Sequence, residues 1–487
     1  MAALTMTMSP TLDTLRARWR DAMGRASGRV TPGRPVLVSV SLALPAIDSL
    51  DLFARAAATV HERFYWERPA DDVAFAGVGA AWAVESASPT VAGRAWRTLL
   101  EGAVIDTAAE GVGRDTVDAM AGPLAGPLLV GGFAFDPARP TTTLWEGYPD
   151  GRLVLPRLTL VTRGAASIVT LNAIAPAGNG TDGEDMERMI RDAEDLLAHT
   201  AEARAARAPS GDGGLCVDDV IPRAMWEVLV ADGARACRDG ALRKVVLARA
   251  ARVRSRDPLD TVAALRYARD AYPNAYTFAV AHGDCTFIGA TPERLARLHD
   301  GLADVACLAG SSARGTTPEE DRARGAALLA SHKDRAEHAV VVDAVRGALA
   351  GVCPDLNVPA APRLLRFPNV QHLYTPVTGR VAAGTDVLDL VARLHPTPAV
   401  GGQPRAPALD YIRAREGLDR GWYAAPVGWL DRHGEGEFVV ALRSALVRGD
   451  EATLFAGCGI VADSCPAAEY DETRLTLRPM LAALGAR

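Results

Sequence analysis

Lysine is nearly missing from this chain: of 53 basic residues in 487, only Lys244 and Lys333 are lysines, and every other one is arginine. Arginine serves wherever a positive charge is enough, so a position that keeps lysine is a candidate for what arginine cannot do, which is to lose its proton and act as a base. For Lys333, chance survival is an equally good reading. Cysteine pairing is missing as well. The seven cysteines are odd in number, lie from Cys216 onward and include no CxxC. That excludes a disulfide framework or a zinc knuckle and leaves reduced, mostly buried thiols. No apolar run reaches the roughly 18 residues that span a bilayer. The first 23 residues lack the basic-then-apolar order of a secretory signal, and they read as a frayed tail leading into an amphipathic helix rather than as an organellar leader. A cytoplasmic protein without a membrane partner is expected. An excess of positive charge is also missing: the net charge is −6, with no basic stripe, which argues against nucleic acid. An anionic substrate would need counter-charges supplied locally.

What is present is a globular composition, 49% hydrophobic and 23% charged, long enough for one large domain or two to three ordinary ones. Residues 1–210 show short β-like runs between Gly/Pro/Asp turns: Val36–Val40, Leu153–Val161, Ala166–Ile174 and the glycine-kinked LLVGGFAFD over Leu128–Asp136. Ala175–Gly183 is turn-rich, Glu184–Arg207 has helical composition, and Ser210–Gly214 reads as a linker. No repeat and no catalytic motif stands out there, so scaffold is the expected role. From residue 211 the pattern sharpens. Helices are expected at Arg223–Ala236 and Asp260–Ala271, and strands at Lys244–Val253, Ala275–Ala281, Thr286–Gly289 and after Leu302. Thr317-Pro318-Glu319-Glu320 opens a helix expected to run to about Leu349. Strands follow at Glu437–Val447 and Ala452–Phe455, with a last helix opening near Ser464 and Pro466. Without the cadence of alternating βα units, the expected class is α+β with mostly antiparallel sheets.

Two helices each carry acids at i, i+3: Asp334 and Glu337, and Glu469 and Glu472. The spacing puts each pair on one helical face. Taken singly such pairs are ordinary solvated surface; facing each other, they suit a hard cation such as Mg²⁺. Gly457-Cys458-Gly459 follows a strand and precedes the second acidic helix, where backbone amides can approach an anion, although a tight turn has the same signature. Arg443 interrupts the apolar run VVALRSAL, and buried there it would need an anionic partner. His395 lies in a Pro/Gly-rich loop, either packing it or lining a site. Lys244 opens KVVLAR and Glu293 follows FIGA. A desolvated lysine beside a cation can act as a base, and a shielded carboxyl as an acid, but spacing alone does not pair them.

Eight motifs occur in one order: KVVLAR, FIGATPERL, LAGSSARG, SHKDRAEH, HPTPAVGG, DRGWYAAPVGW, VVALRSA and GCGIVADSCPAAEYDET. From about Gly240 to Ala483 the chain thereby resembles the chorismate-utilising enzymes, the isochorismate, salicylate, anthranilate and aminodeoxychorismate synthases. The resemblance implies two stacked, mostly antiparallel sheets with helices outside, residues 1–210 as a variable framework of the same fold (GGFAFD and Trp145 matching it), and 211–487 as the chorismate-binding catalytic region. It implies Mg²⁺ held by Glu337 and Glu472 with Asp334 and Glu469 beside them. It further implies Glu293 as general acid, and Arg443 with the amides around Gly457 and Gly459 as holders of substrate carboxylates. Gly310, Ser311, His395, Ala399 and Tyr423 fall in the other matching motifs as substrate-lining positions. Lys244 stands where water-using members have a base, Ala309 where aminodeoxychorismate synthases carry a nucleophilic lysine, and Ala399 where salicylate and anthranilate synthases tend to have threonine. Together these imply addition of water to chorismate at C2 with loss of the C4 hydroxyl, a reversible change giving isochorismate, with no ammonia-delivering subunit. A salicylate synthase and a chorismate-binding protein with impaired turnover are the alternatives. Thr476 replaces a lysine usual in isochorismate synthases, and Ala425 a usual glycine. Isochorismate feeds siderophore, salicylate and menaquinone routes alike, so neighbouring enzymes set the pathway.

Overall fold

In Arg63–Arg68, RFYWER, the rings of Phe64 and Trp66 fall on one face and Tyr65 on the other, the two-residue period of a strand covered on both sides. The first face packs between two sheets, where Phe75 of one meets Trp429 of the other edge-on at 6.0 Å. The second face packs outward, with Tyr65 against Phe53 of the helix Ser49–Arg55. This alternation builds the molecule: a 13-stranded and a 10-stranded sheet, stacked, with helices outside. The computed structural model describes all residues except 1, 32–33, 108–123, 140–141, 176–189, 194, 197–213, 368–369 and 487. Among the described residues every strand pair is antiparallel except Val36–Pro45 with Val104–Asp106, so the fold is α+β as expected.

Strands from both sides of residue 210 alternate within each sheet. In the larger sheet Tyr276–His282 pairs with Arg63–Arg68, and in the smaller Pro426–Leu430 pairs with Leu129–Phe133. Trp145 ties the early segment to the later one: it stacks on Phe455, meets Phe287 edge-on and donates its Nε1 to the Asp419 carbonyl at 3.0 Å. The N-terminal helix Ala2–Ser27 buries Leu15, Trp19, Ala22, Met23 and Ala26, one helical face against the outer side of the larger sheet.

Four expectations change in detail. The run Leu153–Val161 is two strands, Gly151–Leu155 and Leu158–Arg163, because the chain leaves one sheet for the other at Pro156, which has no amide to give a ladder. Glu437–Val447 likewise divides into Gly436–Val440 of the smaller sheet and Ser444–Arg448 of the larger, turning at Arg443, whose φ is 49°. The helix from Thr317 ends at Ala330 and a second runs His332–Leu349. Ser331 between them is extended and its hydroxyl accepts from the Asp334 amide, so it caps the second helix. Gly457 to Gly459 lie inside the strand Glu451–Ile460 rather than after it, two residues apart and so on one face. The turn-rich, helical and linker readings over Ala175–Gly214 fall largely outside the described residues.

Candidate active site

Lys244 begins the strand Lys244–Arg254, next to the strand that carries Gly457 and Gly459. Its side chain is 8% exposed and its ammonium donates to Glu337 Oε1 at 2.7 Å. Gly459 makes room for it, since a Cβ there would stand 2.5 Å from Lys244 Cε. Lys333, by contrast, is exposed, so only one of the two lysines faces a site. Glu337 lies in the first turns of His332–Leu349, and the next residue anchors that helix: His338 bonds the Ala309 carbonyl at 3.2 Å and Thr375 Oγ1 at 2.7 Å.

Glu293 sits on the two-residue crossing from Cys285–Thr291 of the larger sheet to Arg294–His299 of the smaller, its amide on Thr291 Oγ1 and its carbonyl accepting from Val440. Burial pushes its carboxyl up to about 7, against the opposing pull of the Lys244 and Arg443 charges. Arg443 occupies the neighbouring crossing, with its carbonyl accepting from Ala290. Burial lowers its pKa while Tyr423, Glu472 and Glu293 raise it. No carboxylate is within ion-pair distance of Arg443 among the described residues. A half-buried guanidinium without an acidic partner is suited to receive an incoming carboxylate. The Tyr423 ring stacks on Phe455, and its hydroxyl lies 3.1 Å from where a Cβ on Gly457 would be.

Glu469 and Glu472 face this centre from the helix Pro466–Ala483. Glu472 is raised by loss of solvation first, and then by the like charges of Glu469 and Glu337. Carboxylates turned toward one another from two helices are hard oxygen donors of the kind Mg²⁺ takes. No three of the four expected acids have oxygens within 4.8 Å of one another; among the described residues the group that does is His299, Asp300 and Glu435 on the surface. Asp334 packs against Gly310, its Cβ 3.1 Å from a Cβ built there. Thr476 turns its hydroxyl back onto the Thr473 carbonyl at 2.9 Å and brings no charge. Ala425 is fully buried, its carbonyl accepting from Ala441 beside the second crossing.

The remaining expected positions are less central. His395 is enclosed, its Nε2 on the Phe135 carbonyl at 3.0 Å and its ring edge-on to Phe135, and burial pushes it down to about 3. These contacts hold the loop, while its Nδ1 is buried without a hydrogen-bond partner. Ala399 lies in a turn closed by Val400 and Gly401 amides on the Thr397 carbonyl, and the Gly401 carbonyl accepts from Val246 beside the lysine strand. Ser311 Oγ pairs with His372 Nδ1 at 2.7 Å. His372 was not foreseen. Burial and the nearby Arg443 charge push it down to about 4, and its Nε2 is buried without a hydrogen-bond partner. Also unforeseen is a clamp around Arg249, which is 2% exposed. It donates to Thr473 Oγ1 at 2.7 Å, pairs with Asp219 and lies over the Tyr470 ring at 4.5 Å. The clamp fixes the helix of Glu469 and Glu472 to the strand of Lys244. A charge inside the apolar run VVLARAA was its signal.

A family model described as chorismate binding enzyme matches residues 22–485. The chain belongs to that family. It is 39% identical to the salicylate biosynthesis isochorismate synthase of Pseudomonas aeruginosa over 98% of this chain and 96% of that one. It is 34% identical to isochorismate synthase MenF of Bacillus subtilis, covering 92% and 94%. Among solved structures, the menaquinone-specific isochorismate synthase MenF of Escherichia coli superposes with a TM-score of 0.75 at 25% identity, over 96% of this chain and 99% of that one. This member of the family is therefore an enzyme, with the two stacked sheets of its relatives.

Proposed function

We propose that this chorismate-binding enzyme is an isochorismate synthase, adding water to C2 of chorismate and releasing the C4 hydroxyl. The observation that carries the reading is the buried Lys244 within electrostatic reach of the buried Glu293, whose carboxyl is pushed up to about 7. Relatives of nearly equal length that bear the isochorismate synthase name support it.

Arg443, without an acidic partner of its own, would take a substrate carboxylate, and the amides around Gly457 and Gly459 would take part in holding the anion. Lys244 would accept a proton from the attacking water. Glu293, protonated in a substantial fraction at pH 7, would donate one to the departing C4 oxygen. Water enters and water leaves, so the balance closes once the proton gained by Lys244 is returned to Glu293. Each lies within the other's electrostatic reach, which favours that reset; the reaction runs in both directions because substrate and product differ only in where the hydroxyl sits and are close in free energy. Glu337 has two calls on it: it holds the Lys244 ammonium, and with Glu472 it is the proposed ligand of Mg²⁺, Asp334 and Glu469 standing beside. When bound, that ion would supply positive charge against the ring carboxylate of the substrate. A base needs a neutral amine, so Glu337 must be engaged elsewhere than on Lys244 when the proton is taken.

The test is product analysis of purified protein with chorismate, with and without Mg²⁺ and ammonium. Isochorismate that depends on Mg²⁺ and ignores ammonium is expected. Salicylate with pyruvate, anthranilate, or no product would each overturn the assignment.

A further inference from the structure

A cavity of about 190 Å³ lies between the helix His332–Leu349, the helix Val387–Leu394 and the loop that leads into the helix Arg405–Arg415. It contains none of the residues of the acid–base centre. In a chain of net charge −6, its lining carries no acid and two arginines, Arg393 and Arg405. Neither arginine has an ion-pair partner among the described residues. Arg405 spends two N–H groups on the carbonyls of Pro396 and Arg393, at 3.1 and 3.2 Å. The helix that starts at Arg405 has no side-chain cap and no acidic residue in its first turn, which leaves its positive end open to an anion. Thr397 supplies an independent sign. It is 7% exposed and lines the cavity, and its Oγ1 is buried without a hydrogen-bond partner. Buried hydroxyls in folded proteins nearly always have a partner. Apart from Gln403 the rest of the wall is apolar, with Val345, Leu394, Pro396 and Pro398.

We infer that this cavity is a second ligand site, taking a small carboxylate on an apolar ring. The carboxylate answers to Arg393, Arg405, Thr397 and the open helix end, and the ring to the apolar wall. A bare inorganic anion would leave that wall unused. The site is mechanically close to the catalytic strand: Gln403, on its lining, is the register partner of Lys244, and the Arg243 amide donates to the Gln403 carbonyl at 2.8 Å. No catalytic role is assigned to the residues of this cavity, so failure here leaves the proposed reaction standing, and failure of that reaction leaves the cavity.

The test is calorimetric titration of benzoate, and separately of inorganic phosphate, into the wild type, Arg393→Gln and Thr397→Val. Arg393 is exposed and the threonine-to-valine change keeps shape, so both variants fold. Expected is saturable benzoate binding to the wild type, weakened about tenfold or more in Arg393→Gln, as loss of one charge-assisted contact implies, and weakened also in Thr397→Val. Equal affinity in all three proteins would place benzoate elsewhere, the acid–base centre included, and overturn the inference. So would absence of saturable binding, or phosphate binding more tightly than benzoate.

Discussion

Replacing Glu293 with glutamine removes a charge that the fold works against, and the consequence is a stability that depends on pH. The carboxyl is 8% exposed, and its pKa is pushed from 4.5 up to about 7. The folded protein therefore binds this proton more tightly than the unfolded chain. By linkage, the stability owed to Glu293 is fully present below 4.5 and is lost as pH rises to about 7, beyond which the loss is constant. The distance between 4.5 and about 7 corresponds to about 3 kcal/mol, at roughly 1.4 kcal/mol for each tenfold change in proton affinity. Glutamine matches the protonated carboxyl in shape and has no proton to lose. Glu293→Gln is expected to equal the wild type near pH 4.5 and to exceed it by about 3 kcal/mol at pH 8. Urea unfolding of both proteins at several pH values measures this directly. The same variant should lose turnover, since an amide has no proton to give the leaving oxygen, and in the wild type kcat/KM should fall as pH rises through about 7. A stability difference that does not change with pH would refute the argument, because it would mean that the Glu293 carboxyl is solvated in the folded protein.

Lys244→Arg preserves the charge that Glu337 accepts but supplies no neutral amine, so folding should be retained while turnover of chorismate falls about 10²- to 10⁴-fold; near-normal activity in a steady-state assay removes Lys244 as the base. Gly459→Ala places a methyl 2.5 Å from Lys244 Cε, the flexible part of that side chain. It should cost about 1–3 kcal/mol in stability yet lower kcat by on the order of 100-fold through misplacement of the amine, read from thermal melts and kinetics side by side. Arg249→Ala leaves Asp219 and Thr473 without their partner and should destabilise the protein by about 3 kcal/mol in denaturant titrations. Its residual activity should need more Mg²⁺ for saturation, because the helix bearing Glu469 and Glu472 loses its clamp. An unchanged Mg²⁺ requirement would sever that link.

The candidate site residues were more legible than the path of the chain through them. Lys244 stood out by the scarcity of lysine, and the acids at i, i+3 by helical geometry, because both signals are local. The fold class was readable from the lack of a βα cadence. What the pattern missed were long-range conditions. Nothing local says that the run through Pro156, or the one through Arg443, passes from one sheet to another, since each half keeps strand composition. The break at Ser331 is written as a cap sequence inside what otherwise reads as one helix. His372 lies in the strand run VQHLYTPV with nothing to mark it; its meaning comes from Ser311 and Arg443, which are distant in sequence. Glu293 and Lys244 could not be paired from spacing because antiparallel packing, not sequence interval, brings them together.

Glu293 and Arg443 are each mounted on a crossing between the two sheets, with one flank of backbone belonging to each. The distance across the proposed reacting centre is thus set by the thickness of the layer between the sheets, much as the gap of a vice is set by what it grips. Large rings such as Phe75 and Trp429 act as spacers for chemistry they do not touch. Slight thinning of that layer would move the acid and the guanidinium together, preserving their relation to each other while changing their distance from the lysine. Tolerance to drift in the core is therefore narrower than side-chain stability alone would require, and it is the turnover rate, before the melting temperature, that registers it.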